Sequence, residues 1–332
     1  MDARVDLPIQ PAVEDTTAGF TKPESKRDRA ERHVMAISSI EHVSVGMPIT
    51  RGGISIFPIY LGPNGLPRIA TGVKSGLVVE EVPDEEVPHL VVTNPTDQAI
   101  LIVEGEQLVG GLQNRSPNVS VLVPAHSKLE IPVSCLESGR WGRHGKFHSG
   151  ATYTPRRVRR TKSREVAKTM ALDGHRSGNQ GAVWDAVQNQ LYSLDVHSST
   201  GAMADADEVY ERDPDRHSAA EELAGKGPLP GQVGIVVAHG KRVVASEIFG
   251  APNLLEAHWS ALIRSHLLES PTSEGAPSAT SSLEMIRLFG VADSAQSPGI
   301  GLGYEHHVNA ENLNGHALVL DDSVVHASIF AK

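Results

Sequence analysis

The chain has 332 residues, 39% of them hydrophobic, which is enough for two domains or one large domain with insertions. Its net charge of −10 at pH 7 disfavours a general nucleic-acid binder, because nonspecific affinity for phosphate comes from clustered Lys and Arg. No run approaches the ~20 apolar residues of a spanning helix, Met1-Asp-Ala-Arg-Val-Asp does not read as a signal peptide, and the single Cys135 excludes an intrachain disulfide; the expectation is a cytoplasmic protein with no membrane association.

In chain order, residues 1–38 mix Pro, Thr, acids and bases with little apolar periodicity and are expected to form a charged, disordered tail. Residues 39–141 then change character. Six β-prone runs (54–60, 77–82, 89–93, 99–103, 119–123 and 128–134), separated by Gly, Pro and Asn, predict an antiparallel β-sandwich-like half. Within it Asn94-Pro-Thr-Asp97 is a turn sequence, and the alternation of 128–131 predicts a strand with one face in water.

Residues 142–228 form a helical middle: a Gly- and His-bearing loop, a helix from about Pro155, and a second helix over 180–196 with Val183, Trp184, Val187, Leu191 and Leu194 on one face. Ten Lys or Arg against one acid, Glu165, lie between 140 and 168, whereas 205–222 holds eight acids beside Arg212 and Arg216. That acidic segment reads as a solvated helix, a partner for the basic stretch, or a loop. Residues 229–332 predict an α/β hairpin-and-helix region: a hairpin over 233–249, a helix opened by Pro252, a loop over 270–278, a helix over 282–289, and strands 317–320 and 324–330. The fold class is therefore α+β.

Polar residues collect where the run 99–103 ends. Glu104 and Glu106 follow it directly, and a strand continued to Glu106 would put both carboxylates on one side, about 6.5 Å apart at ~3.3 Å per residue. Such a pair suits a divalent cation, divided acid and base roles, or sugar hydroxyls; it also suits structural ion pairs. We therefore take Glu104 and Glu106 as candidate catalytic residues. The candidate ligand-binding residues are Gln107, Gly110, Gly111, Gln113, Asn114, Arg115, Glu137, Arg140, Trp141 and Gln180. Gly110-Gly111 permits backbone approach to an anion, Arg115 and Arg140 offer permanently charged forks, and Trp141 a stacking surface, although each also fits loop bracing or packing. Cys135 reads as a buried strand cysteine rather than a nucleophile. The pairs His144/His148 and His306/His307 show no third ligand, so no metal is assigned to them.

These residues sit on motifs that resemble a bacterial family, the ADP-ribosylglycohydrolase and rhodanese-phosphatase-superfamily-associated protein domain. The motifs are Glu-Gly-Glu-Gln-Leu-Val-Gly at 104–110, Gln113-Asn-Arg115, Val121-Leu-Val-Pro-Ala125, Ile131-Pro-Val-Ser-Cys-Leu-Glu137, Gly139-Arg-Trp141, Gly178-Asn-Gln-Gly-Ala-Val-Trp184 and Ser199-Thr-Gly-Ala202. The resemblance spans about 42–330 and implies a role near NAD-derived or phosphorylated nucleotides. The leading expectation is thus a small phosphorylated, ADP-ribose-like ligand, bound and, if the protein is an enzyme, hydrolysed at a glycosidic or phosphate ester bond. A noncatalytic sensor or adaptor is the alternative. A nucleic-acid module built on Arg156, Arg157, Arg159 and Arg160 is a second.

Overall fold

The computed structural model describes residues 37–72, 74–82, 88–142, 145–269 and 274–332; of the tail expected over 1–38, residues 1–36 lie outside these, as does His144, while Ile37 is buried and Ser38 opens a 3-10 turn. Twelve strands precede the first α-helix among the described residues. They are β1 (Ser44–Val45), β2 (Ile49–Arg51), β3 (Ile54–Tyr60), β4 (Ile69–Thr71), β5 (Val78–Glu81), β6 (His89–Asn94), β7 (Ala99–Ile102), β8 (Leu108–Val109), β9 (Arg115–Pro117), β10 (Val121–Val123), β11 (Ser127–Cys135) and β12 (His148–Ser149). Four helices follow: α1 (Arg156–Leu172), α2 (Gln180–Ser193), α3 (Glu208–Arg212) and α4 (Pro214–Lys226). The chain ends with β13 (Gly234–His239), β14 (Arg242–Phe249), α5 (Pro252–Leu267), α6 (Ala279–Val291), β15 (Ser294–Pro298), β16 (Tyr304–Asn309), β17 (Leu313–Leu320) and β18 (Ser323–Ala331). The architecture is α+β, and no helix among the described residues is long and apolar enough to cross a membrane.

The largest sheet runs β1-β3-β13-β14-β18-β17-β16-β15, with β2 also paired to β3. Strand β3 explains how the two ends of the chain join. Its Ile-Ser-Ile-Phe-Pro-Ile run is buried on both faces, as a central strand requires, and it pairs antiparallel with β13 from Ile54↔His239 to Ile59↔Gly234. Alternation then divides the apolar side chains: Ile54, Ile56, Ile235 and Val237 pack toward α5, while Phe57, Ile59, Val236 and Ala238 pack toward α6. Two smaller sheets, β10-β7-β4 and β12-β8-β9-β11-β6-β5, share a third core with Val166 and Met170 of α1. One pair in them, β4 with β7, is parallel, where the sequence suggested antiparallel pairing throughout.

Most boundaries fall within a few residues of expectation. Pro155 sits at the N-cap of α1, just outside the helix, and β11 alternates half-exposed Lys128 and Glu130 side chains with more buried ones before it enters the core. The acidic segment becomes α3 and α4, and its acids pair with distant arginines: Arg51 with Glu222 and Arg264 with Glu221. Among the described residues, these acids form no ion pair with the basic stretch. Strands β15 and β16 were not foreseen, because Ser294–Pro298 and Tyr304–Asn309 are rich in polar residues and hide the β period.

Candidate functional site

Strand β7 stops at Ile102, and Glu104-Gly105 forms a turn instead of continuing the strand. Gly105 adopts φ +94°, and a side chain there would overlap the Arg159 guanidinium. The turn sends the two carboxylates into different surroundings. Glu104 enters a dry cluster: its Oε2 lies 2.8 Å from Arg159 Nη2, its Oε1 3.0 Å from Lys162 Nζ, and Ser328 Oγ donates to Oε2 at 3.1 Å. Arg159 Nη1 also meets Glu247 Oε1 at 2.7 Å, and Glu247 Oε2 meets His326 Nε2 at 3.0 Å. Two buried carboxylates thus balance two buried cations. Burial opposes the charge on Glu104, but Arg159 and Lys162 outweigh it and hold the carboxyl at about 2.

Among the described residues Glu106 has no such cations beside it. Its Oε2 accepts from the Val103 N–H at 3.1 Å and its Oε1 from Ser149 Oγ at 3.4 Å. Burial pushes its carboxyl up to about 7, the two hydrogen bonds offsetting part of the effect. His258 Nδ1 is 3.9 Å from Glu106 Oε1, yet it offers no countercharge. Thr71 Oγ1 donates to Leu101 O at 2.8 Å and so accepts from His258 Nε2 at 2.6 Å, which leaves Nδ1 to accept the Tyr153 O–H, also at 2.6 Å. Both bonds suit neutral imidazole, and burial, with His326 nearby, lowers His258 to about 3.

Glu106 lines a cavity of about 200 Å³ with Ser75, His148 and Ser149, between apolar walls that include Leu101, Leu108 and Phe147. Val79 and Phe147 also wall a second cavity of about 380 Å³, which carries Lys128, Lys146 and Gly111.

The other candidates hold the surrounding loops. Arg140 donates to Glu137 through Nε and Nη2 at 3.0 and 2.7 Å, and to the carbonyls of Gly110, Gly111 and Gly142. Glu137 also accepts from Thr200 Oγ1 and the Asn114 N–H. Burial opposes its charge, but Arg140, Thr200 and Asn114 together lower its carboxyl from the usual value. Asn114 Oδ1 takes the Gly110 N–H, Gln107 Nε2 donates to Thr152 O, and Arg115 donates to Gln113 Oε1 and to the Cys135 thiol. Burial raises that thiol to about 11, with Arg115 offsetting part of the shift, so Cys135 is a buried strand thiol. Gln180 clamps the Cys135 backbone N–H and carbonyl at 2.8 and 2.9 Å, and Trp141 is exposed. Glu104, Arg115, Glu137 and Arg140 line neither cavity beside Glu106, and the candidate residues do not share one pocket: Glu106 faces one cavity, Gly111 the next, and Gln180 a third of about 560 Å³.

The family model of the ARG and Rhodanese-Phosphatase-superfamily-associated Protein domain matches residues 42–330. The chain belongs to this family. No match was found among curated proteins or among solved structures. In this family member the basic helix turns inward: Arg156 pairs with Glu269 at 2.6 Å, while Arg159 and Lys162 are fully buried. This withdraws Arg156 and Arg159 from the surface on which a nucleic-acid reading rests, whereas Arg157 stays exposed. Lys162, Tyr153 and His258 escaped the sequence reading, which gave Arg159 only a nucleic-acid role. The available signal was that Arg159 and Lys162 share a helical face with the apolar Val166 and Met170.

Proposed function

We propose that the protein binds a small phosphorylated sugar ligand of the ADP-ribose type across the two cavities that share Val79 and Phe147, and hydrolyses a glycosidic or phosphate ester bond in it. The carrying observation is Glu106, a buried carboxyl raised to about 7 in a cavity wall, the condition in which a carboxylic acid still donates a proton near neutrality. The smaller cavity has room for about one sugar ring, and Ser75, His148 and Ser149 line it with Glu106. Lys128 and Lys146 in the larger one, which Glu80 and Glu81 also line, offer ammonium donors to phosphates. Glu106 delivers its proton to the leaving oxygen as that bond breaks, while water adds to the other side and releases a proton to solvent, from which Glu106 is reprotonated. Glu104 is tied up in ion pairs and takes no part in that step, so the mechanism rests on one carboxyl rather than on the pair that the sequence suggested.

The test combines binding and turnover with ADP-ribose, NAD and ribose 5-phosphate. Ligand raises the melting temperature of the wild type and of Glu106→Gln alike, because a ligand that binds only the folded state stabilises it. Turnover falls by about 10²–10⁴-fold in Glu106→Gln, and wild-type kcat falls as pH rises through about 7. Absence of any shift with all three compounds would sink the reading. Binding without turnover would leave a sensor in place of an enzyme.

A further inference from the structure

A second buried group of side chains lies apart from Glu106, on the last strands of the large sheet. Glu305 and His307 alternate on β16, so they share a face, and His316 on β17 is the cross-strand partner of His307. One ligating atom from each lies within 4.8 Å of the others, and all three residues are buried. Their hydrogen bonding is incomplete. Neither ring nitrogen of His316 has a hydrogen-bond partner among the described residues, nor does Glu305 Oε1. Glu305 Oε2 is doubly engaged, by Arg176 Nε at 2.8 Å and His307 Nε2 at 2.9 Å. Buried polar atoms are as a rule satisfied, so open atoms on both His316 and Glu305, within a group whose ligating atoms lie this close together, mark the place of a missing group.

We propose that Glu305, His307 and His316 bind a divalent first-row transition metal ion, with zinc the best fit. Two imidazoles and one carboxylate suit this class, whereas calcium and magnesium prefer all-oxygen shells. A four-coordinate ion with bonds of about 2.0–2.2 Å holds its ligand atoms about 3.3 Å apart, within reach of small side-chain rotations from the present spacing. His307 Nε2 gives up its hydrogen bond to Glu305 and coordinates instead, releasing a proton if it holds one. Arg176 stays on Glu305 as the outer partner that orients the carboxylate. The guanidinium also lines the cavity of about 560 Å³, so the ion lies one side chain behind that wall. Three protein ligands leave a position for water or a small ligand. The signal in the sequence is Glu-His-His at 305–307 with His316 beyond a hairpin turn, and it needs the pairing register to become legible.

The full chain, stripped with EDTA, is titrated with Co²⁺ and separately with Zn²⁺. One equivalent of Co²⁺ produces visible d–d absorption, Zn²⁺ displaces it, and calorimetry in two buffers of different ionisation enthalpy reads proton release. Folded Glu305→Gln and His316→Asn lose at least tenfold in affinity, whereas His217→Ala, on the exposed side of α4, keeps one equivalent. Should those variants not fold, X-ray absorption of the wild-type cobalt complex decides by counting imidazoles. Fewer than two in the shell, no stoichiometric binding by the wild type, or unchanged binding in the folded variants would overturn the site and leave a buried water as its occupant.

Discussion

Glu104 and Glu106 are two residues apart, similarly buried, and opposite in charge behaviour: one is held at about 2 and the other raised to about 7. Depth of burial does not separate them. The difference is made by partners, since Glu104 meets two cations and a hydroxyl while Glu106 meets one backbone N–H, one long hydroxyl contact and an imidazole held neutral by Thr71 and Tyr153. A carboxylate saturated by cations is a structural tie. One left short of partners beside a cavity is a proton donor in waiting.

The largest effect that would break this contrast comes from Glu104→Gln. It leaves Arg159 and Lys162 buried without their shared anion, and breaking a buried pair in this way costs about 3–5 kcal/mol. Urea unfolding at pH 7 measures it, and a loss below about 1 kcal/mol would mean that the cluster is not the tie described. Wild-type stability from this group should hold above its unfolded pKa near 4.3 and fade as pH drops through about 2, because the folded pKa is depressed.

Glu106 has the opposite sign. Its folded pKa lies above the unfolded one, so its contribution is fully present below about 4.3 and is lost as pH rises through about 7. Between pH 4 and pH 8 that loss is up to about 3 kcal/mol. Glu106→Gln cannot ionise and should flatten this part of the profile, ending more stable than wild type at pH 8. Equal slopes for the two proteins in stability against pH would show that Glu106 titrates as an ordinary exposed carboxylate.

Tyr153→Phe sharpens the contrast at its hinge. Removing the O–H that occupies His258 Nδ1 costs about 1 kcal/mol, and it frees that lone pair to take a proton opposite Glu106. The Glu106 carboxyl should then titrate below its wild-type position, as read by carbon NMR of labelled glutamate. No movement, or movement upward, would detach His258 from the control of Glu106.

What the sequence could reveal follows the range of each interaction. The exit of an apolar run into Glu104-Gly-Glu106 is local and was visible, as were β3, α2 and the Pro252 helix, whose periodicity lies within a few turns of chain. The roles of the two glutamates were not, because Arg159 lies 55 positions from Glu104 and Tyr153 105 from His258. Reading Arg156 and Arg159 as surface charge failed for a related reason: buried cations are uncommon without partners, and theirs are Glu269, Glu104 and Glu247, supplied by distant loops and strands. In β16 the polar run Glu305-His306-His307 is buried within the sheet, so hydrophobic alternation carried no signal there.

The smallest effect separates bracing from binding at the loop. Arg140 is a fork with its donors already placed on Glu137, Asn114 and three glycine carbonyls. Lysine keeps the charge but not the planar geometry, so Arg140→Lys should lower stability by about 1 kcal/mol and leave affinity for a phosphorylated sugar within about twofold. A tenfold or greater loss of affinity at unchanged stability would move Arg140 from the framework to the ligand, and with it the boundary between residues that hold this site and residues that use it.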